Sequence, residues 1–205
     1  MKNKHLRTWI VSIGLCAILC GIAAIFWYNE WVYNLPTPIP ANYHSVDVGE
    51  RVALNKKITN QEEKPLFLHF YNPECPCSRF NVSHFKSLVQ QYGDKVAFAI
   101  VVMREDEDYT KEEILSSFGL DLPVYFDNAI AKTCGVYSTP QAVILDADQK
   151  LYYRGNYNIT RYCTNKKTAF AQLALDSLLN NNSKPVFDEL ALKAYGCQIP
   201  KCTLK

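Results

Sequence analysis

The sequence predicts an α/β domain with a mixed central sheet, flanked by helices and placed behind one N-terminal membrane-spanning helix. Three observations predict this arrangement. Strand-like and helix-like segments alternate over residues 64–134, a hairpin pattern follows at residues 142–154, and a long apolar run precedes both. Alternation favours parallel pairing, and the hairpin adds antiparallel pairing. The net charge of +2 over 205 residues gives no footprint for nucleic acid.

The apolar run at residues 9–28 is uncharged, and about 20 such residues suffice to cross a bilayer. The basic segment 1–8 predicts a cytoplasmic N-terminus, in a bacterial inner membrane with the C-terminal domain in the periplasm. A cleaved signal peptide is the alternative, but the run continues past its poor cleavage site. We therefore expect a retained anchor, a Pro-rich linker at 29–45, one domain at 46–182 and a Cys-containing tail at 183–205.

The first two strands and the helix between them follow from local patterns. Residues 64–71 form an apolar run typical of a buried strand. Residues 78–92 are predicted as a helix that Gly93 stops, because apolar side chains recur at spacings of three and four, namely Phe85, Leu88, Val89 and Tyr92. Residues 95–103 are valine-rich and almost wholly apolar, which indicates a strand covered on both faces.

A charged loop at residues 104–109 leads to a second helix. Thr110 is the predicted N-cap, and Glu113 stands at the capping-box position three residues later. Gly119 is expected to end this helix.

The remaining elements complete the α/β pattern. Residues 122–126 are predicted as a short strand, and residues 128–134 as a short helix closed by the following glycine. Residues 142–145 and 150–154 form a hairpin around a turn. Residues 164–179 are predicted as a final helix with one apolar stripe, Phe170, Leu173, Ala174 and Leu178.

The segment Asn72-Pro73-Glu74-Cys75-Pro76-Cys77 joins the first strand to the first helix of this domain. A helix N-terminus presents unpaired N–H groups and a partial positive charge, which stabilise a thiolate. The position therefore indicates thiol–disulfide chemistry or a soft-metal site. Disulfide-permitting surroundings are expected because six cysteines lie outside the membrane segment, Cys75, Cys77, Cys134, Cys163, Cys197 and Cys202.

Two separated features resemble the thioredoxin-like superfamily, of the membrane-tethered redoxin kind. One is the Cys-Pro-Cys junction, and the other is Gly135-Val136-Tyr137-Ser138-Thr139-Pro140 followed by a strand. The resemblance covers residues 50–180 and implies a thioredoxin-like fold. The Cys-Pro-Cys motif is similar to that of a set of bacterial proteins that also carry a C-terminal Tyr-Gly-Cys element, matched here by Tyr195-Gly196-Cys197.

The resemblance implies roles for the junction. Cys75 would be the attacking thiol and Cys77 the resolving thiol, although thioredoxins place two residues between their cysteines and only Pro76 intervenes here. Strain in so small a ring would favour reduction. The spacing leaves open that a more distant cysteine resolves Cys75, with Cys134 the first candidate and a possible third redox cysteine.

The resemblance also implies a wall and a base for the site. Pro140 would be a cis-proline facing the reactive cysteine, and substrate would contact Thr139 and Pro76. His69 lies six residues before Cys75, where thioredoxins keep a buried acidic residue. Its pKa suits proton transfer from the second cysteine near neutrality. A core histidine bonded to backbone is the alternative.

Other polar residues carry weaker expectations. His84 lies two helical turns beyond Cys77, a rise of about 10 Å, which is too far for the two side chains to share one metal. Asn81 and His84 are therefore expected on an exposed helix face beside the site. Cys197 could pair with Cys202, with Cys163 or across a dimer, since sequence does not fix connectivity. A structural clamp for the tail is the preferred interpretation.

The function expected from these residues is a membrane-tethered periplasmic thiol–disulfide oxidoreductase. It would act on protein thiols and disulfides through Cys75 and Cys77, without a bound cofactor or metal. A Cu(I)-binding module is an alternative, because two soft thiolates favour Cu(I), but no third ligand is evident. A peroxidase would need a threonine where Asn72 stands. A non-catalytic envelope scaffold also remains open.

Overall fold

The computed structural model describes residues 2–33, 35–54, 58, 64–103, 109–160, 162–180 and 185–198. The chain divides into two compact units, residues 1–36 and 37–205. Cys202 and nearly all of the predicted charged loop at 104–109 lie outside the described residues.

The first unit is one helix, α1, at Lys2–Tyr33. Its apolar part, His5–Trp31, has 27 residues, a mean hydropathy of 2.5 and exposed side chains. By length and composition this helix can cross a membrane. A signal sequence near the N-terminus has the same properties. The helix extends beyond the predicted span of 9–28 at both ends.

The second unit contains a central mixed sheet, as predicted. The strands in chain order are β1 Leu66–Tyr71, β2 Ala97–Val102, β3 Val124–Tyr125, β4 Ser138–Thr139, β5 Gln141–Leu145, β6 Leu151–Gly155 and β7 Cys197–Gln198. The main sheet has the order β3-β2-β1-β5-β6, whereas β4 and β7 pair separately. β1, β2 and β3 run parallel, and β5 is antiparallel to both β1 and β6.

Helices flank this sheet, and all except the last, short one overlap segments that the sequence predicts to be helical. They are α2 Pro76–Tyr92, α3 Lys111–Phe118, α4 Asn128–Cys134, α5 Phe170–Leu179 and α6 Glu189–Leu192, with a 3-10 turn at Lys166–Thr168. The capping box of Thr110 and Glu113 is confirmed. Gly119 and Gly135 end α3 and α4 in the left-handed conformation, at φ 59° and 66°, which glycine adopts without steric cost.

The alternating side chains of β1 divide the core between the two faces of the sheet. Phe67 and Tyr71 pack in one cluster with side chains of α2, α3 and α5. Leu66, Leu68 and Phe70 pack in the other, together with side chains of α4. The helices α2 and α4 therefore contribute to different cores.

The predicted stripe on the last long helix is wrong at one position. Leu173 is 40% exposed, whereas Phe170, Ala174 and the neighbouring Ala171 and Leu175 are buried. The helix begins at Phe170 rather than at residue 164. Spacings of three and four allowed either stripe, and packing against the sheet selected the second.

Two segments predicted to lie outside the domain contribute to it. Thr37, placed in the linker by sequence, is only 5% exposed, and its backbone N–H donates to the carbonyl of Ala194 at 2.9 Å. The tail, which shows no periodicity, forms α6 and β7. Short elements such as these are stabilised by tertiary contacts, which periodicity does not reveal.

Candidate functional site

Cys75 lies at the junction between β1 and α2, where a compact turn holds it. The Asn72 side chain accepts the backbone N–H of Glu74 at 2.9 Å, and the Asn72 carbonyl accepts the N–H of Cys75 at 3.0 Å. The Asn72 N–H in turn donates to Ser78 Oγ at 3.3 Å. Cys75 is therefore the N-cap of α2, at the positive end of the helix dipole.

The Cys-Pro-Cys motif opens this helix. Pro76 occupies the first helical position, where its missing N–H costs no intrahelical hydrogen bond. Cys77 lies in the first turn as a thiol and is only 5% exposed. The charged side chains of Glu74 and Arg79 are exposed to solvent. Solvent weakens the influence of these two charges on the sulfur atoms.

The loop that contains Pro140 forms the wall opposite Cys75. The Thr139–Pro140 peptide bond is cis, as predicted from the resemblance. The Sγ atom of Cys75 lies 3.6 Å from the carbonyl oxygen of Thr139. Thr139 is completely buried. The structure thus brings together the two motifs that are separated by more than sixty residues in the sequence.

Cys197 also reaches this site, and sequence reasoning missed it. Strand β7 pairs antiparallel with β4, so that Cys197 stands opposite Thr139 and Gln198 opposite Ser138. Cys197 forms a disulfide with Cys75, with a Cα–Cα distance of 6.2 Å. The partners considered from the sequence were Cys202, Cys163 and a second chain. The distant partner of Cys75 is Cys197, and Cys134 is not part of this disulfide.

The Tyr-Gly-Cys element explains how the tail comes so close to the loop. Gly196 has φ 145°, and a Cβ atom there would clash with the carbonyl oxygen of Thr139. Only glycine permits this approach without displacing backbone. Thr37 secures the contact, because its Oγ1 donates to the Gly196 carbonyl at 3.1 Å and lies 2.9 Å from Ser138 Oγ. The glycine before the cysteine was the available sequence signal.

Asn156 anchors the segment that precedes β7. Its Nδ2 donates to the carbonyl of Leu190 at 2.8 Å and to that of Lys193 at 2.6 Å. Its backbone N–H donates to the carbonyl of Ala191 at 2.8 Å. Tyr153 OH donates to the carbonyl of Asn156 at 2.6 Å. The end of the main sheet therefore holds α6 and determines where the following tail begins.

His69 is a buried neutral imidazole behind α2. Its Nδ1 shares a hydrogen bond of 2.7 Å with Tyr157 OH, and its ring stacks on Phe85 with centroids 4.4 Å apart. Burial lowers the pKa of His69 to about 3. Its Nε2 is buried and finds no hydrogen-bond partner among the described residues. The backbone-bonded alternative does not describe this side chain, and proton transfer with Cys77 stays a prediction.

A polar cluster continues along the inner face of α2. Asn81 is only 1% exposed, so the predicted exposed face is wrong at this position. The Cys163 thiol donates to Asn81 Oδ1 at 3.0 Å, and burial raises the pKa of Cys163 to about 12. His84 is partly buried, which lowers its pKa, and its ring lies 5.9 Å from that of Tyr157. Asn81 is buried because the loop carrying Cys163 covers it.

Cys134 lies in the core on the other face of the sheet. It has no exposed surface and packs with the side chains of α4 and the second cluster. Burial raises the pKa of Cys134 to about 12, although Arg154 nearby opposes this shift. A thiolate is therefore scarce at neutral pH. A redox role for Cys134 stays a prediction without a contact to support it.

The geometry of the site also bears on the alternative of a Cu(I)-binding module. Among the described residues, no group of three or more His, Cys, Asp and Glu side chains is arranged to hold a metal ion. The sulfur of Cys75 is bonded to Cys197. In this state, Cys75 and Cys77 do not provide a pair of thiolates.

Residues 45–200 match the family described as a domain of unknown function, DUF6436. No curated protein matches the chain significantly. The topology of the main sheet, the Cys75 junction and the cis Thr139–Pro140 bond are those of a thioredoxin-like fold.

Similar solved structures include two proteins of undescribed activity. A hypothetical protein from Sinorhizobium meliloti 1021 has a TM-score of 0.62 and 19% identity, covering 77% of this chain and 96% of that one. An uncharacterised conserved protein from Geobacillus kaustophilus has a TM-score of 0.60 and 22% identity, covering 80% and 97%. At these identities the likeness concerns the fold alone, and activity must be argued from the chain's own residues.

Proposed function

The chain belongs to the DUF6436 family, and we propose that it is a membrane-tethered thiol–disulfide oxidoreductase that acts on protein cysteines in the periplasm. One observation carries this proposal. Cys75, at the N-terminus of α2 and against the cis Thr139–Pro140 loop, is already a member of a disulfide. A helix N-terminus favours the thiolate, which is the nucleophile in disulfide exchange.

The chemistry requires only thiols that the chain supplies. The Cys75 thiolate attacks one sulfur of a substrate disulfide, forms a mixed disulfide and releases the other substrate sulfur as a thiolate. A second enzyme thiolate then attacks Cys75, forms an enzyme disulfide and releases the second substrate thiolate. Two electrons pass to the substrate, and two enzyme thiols become one disulfide. The reverse sequence oxidises a substrate dithiol.

Two cysteines are candidates for the second thiol. Cys77 follows in the first turn of α2, as the sequence predicts, and Cys197 is the partner in the structure. His69 stays the predicted proton acceptor, but a pKa of about 3 makes its neutral imidazole a weaker base than the near-neutral value expected from the sequence. Pro140 and Thr139 would border an incoming substrate, with Pro76 at the opening of the helix.

The membrane assignment is a proposal from α1. The helix can span a bilayer by length and composition. Its N-terminal side carries Lys2, Lys4 and Arg7, which favour a cytoplasmic start. Alkylation of intact cells with a membrane-impermeant maleimide tests this, after mild reduction. Labelling of Cys75 and Cys197 supports a periplasmic domain, and labelling only after lysis contradicts it.

Exchange with a labelled peptide disulfide tests the activity. Full-length reduced protein in detergent should release the label, and Cys75→Ser should reduce the rate to the uncatalysed background because a hydroxyl does not exchange with disulfides. Cys163→Ser is the matched control, since serine preserves the hydrogen-bond donor to Asn81. The Cys77→Ser/Cys197→Ser double variant should accumulate a mixed disulfide on Cys75. Wild-type exchange in Cys75→Ser would refute the proposal.

A further inference from the structure

We propose that Cys197 is the resolving cysteine for Cys75, delivered by the C-terminal segment as a strand on the Thr139 loop. This inference rests on the proposed function and assigns the second thiol of that reaction. The segment is defined here as the docking tail, residues 195–198. Its pairing with β4 and its disulfide with Cys75 are the observations from which the argument starts.

The strand register aligns the two sulfurs. Thr139 pairs with Cys197 across the β4–β7 ladder, and the carbonyl oxygen of the same threonine lies 3.6 Å from Cys75 Sγ. The backbone of Thr139 therefore orients both Cys75 and Cys197. Shifting the strand by one residue would turn the Cys197 side chain to the opposite face of the strand. The pairing thus depends on register, which a loose surface tail would not maintain.

The docking tail also controls access to Cys75. Cys75 has no exposed surface in this structure, whereas Cys197 is partly exposed. A substrate sulfur therefore reaches Cys75 only after the tail has left the Thr139 loop. The backbone edge that the tail occupies would accept another extended peptide by the same strand pairing. The returning tail competes with the substrate peptide for this edge, so that formation of the Cys75–Cys197 bond displaces the product.

A short tether keeps Cys197 available after the tail leaves. Asn156 holds the carbonyl of Lys193 at 2.6 Å, and four residues further on the chain carries Cys197. Four extended residues reach at most about 14 Å. Such a tether gives a second thiol a high effective concentration. Cys197 can release Cys75 without any unfolding of α6.

The resolving step balances as an exchange of thiols. The Cys197 thiolate attacks Cys75 Sγ in the mixed disulfide, the Cys75–Cys197 bond forms, and the substrate leaves as a thiolate that takes a proton from solvent. No oxidant or reductant beyond the substrate is required. Cys77, buried in the first turn of α2, takes no part in this step.

Single variants of the full-length protein in detergent test the assignment. Reduced protein is mixed with a peptide disulfide, quenched with acid and analysed by mass spectrometry. We expect Cys197→Ser to retain the attack by Cys75 but to release the mixed disulfide at least about tenfold more slowly than wild type. The tail control Cys202→Ser should release it at the wild-type rate, and Cys77→Ser, the competing assignment, should slow release less than Cys197→Ser does.

The outcomes separate the two proposals. Slow release in Cys77→Ser together with normal release in Cys197→Ser overturns the role of Cys197 and leaves the oxidoreductase intact. Slow release in Cys202→Ser with normal release in Cys197→Ser also overturns it. Absence of any mixed disulfide on Cys75 in all variants refutes the oxidoreductase function itself.

A peptide probe tests strand docking without changing the fold. Oxidised Cys197→Ser protein, with Cys75 blocked by a thionitrobenzoate group, is offered Lys-Ala-Tyr-Gly-Cys-Gln, the sequence of residues 193–198. Its cysteine should displace thionitrobenzoate several-fold faster than that of the matched peptide with alanine for glycine. The alanine Cβ would meet the Thr139 carbonyl. Equal rates for the two peptides would overturn the docking of the tail.

Discussion

Cys77 and Cys197 are the two candidate partners of Cys75, and the structure holds them by different means. Cys77 is two residues away in the chain, buried within the first turn of a long helix. Cys197 is 122 residues away and lies in a two-residue strand that is held by backbone pairing. Cys77, which is close to Cys75 in the sequence, is a thiol, whereas Cys197, which is distant in the sequence, forms the disulfide with Cys75.

This difference shows that proximity in the chain does not decide which thiols meet. A residue in a helical turn has its side-chain direction set by the helix. A short edge strand can instead place its sulfur wherever its pairing partner lies, at the cost of closing a long loop. Four predictions follow from the contrast, and they decrease in expected magnitude.

Reduction of the Cys75–Cys197 disulfide should lower the free energy of unfolding of the domain by about 5 kcal/mol, because the bond closes a loop of 122 residues. Urea titrations of the full chain with and without reductant, followed by circular dichroism, measure this difference. Cys77→Ser should show the same gap, and Cys197→Ser should show none. A gap that disappears in Cys77→Ser would mean that Cys77 forms the bond in solution.

Acid should act through His69, whose buried ring stacks on Phe85 of α2. The folded-state pKa of His69 is about 3, below its ordinary value of 6.5, so the unfolded chain binds the proton more readily. Stability is complete above pH 6.5 and falls as the pH decreases toward 3. The expected loss between pH 7 and pH 4 is ~3 kcal/mol. Urea midpoints across this range measure it.

His69→Gln should flatten that pH dependence, since glutamine does not titrate. His84→Gln is the comparison variant, because His84 is only partly buried and its pKa is also lowered. It should flatten the dependence less. An unchanged slope in His69→Gln would contradict a neutral buried imidazole.

Asn156→Ala should loosen the Cys197 side without affecting Cys77. Two hydrogen bonds to the carbonyls of Leu190 and Lys193 would be lost, with a cost of about 2 kcal/mol. The fraction of Cys75–Cys197 disulfide in glutathione buffers, determined by alkylation and mass spectrometry, should fall correspondingly. Asn180→Ala removes a similar bond at the exposed end of α5 and should leave the disulfide equilibrium unchanged. A shift equal to that of Asn156→Ala would point to a general loss of stability.

Thr37→Val should produce the smallest effect, about 1 kcal/mol. It removes the bonds that hold Gly196 and Ser138 together. The rate at which a thiol reductant opens the Cys75–Cys197 disulfide should rise a few-fold, as followed by timed alkylation. Thr133→Val, which loses a comparable solvent-exposed bond within α4, should not change this rate. If Thr37→Val also leaves it unchanged, the contact does not hold the docking tail.

Much of the scaffold could be predicted because the forces that set it are local. The apolar run of β1, the spacing along α2 and the capping box of Thr110 and Glu113 all lie within a few turns of chain. The stripe on α5 could not be predicted fully, because Leu173 and Leu175 have similar hydrophobicity and only the sheet distinguishes them. The sequence predicts an exposed Asn81, because local spacing does not show that the loop carrying Cys163, 82 residues further along the chain, covers it.

By itself, the sequence determined that Cys75 stands where a buried strand meets a helix, and the resemblance added a cis Thr139–Pro140 bond facing it. Both depend on short motifs whose physical chemistry is contained in neighbouring residues. Only the tertiary structure decided that Cys197 is the partner of Cys75. That choice depends on the pairing of two very short strands, β4 and β7, on the absence of a side chain at Gly196, and on the anchor at Asn156. None of these contacts leaves a periodic signal along the chain.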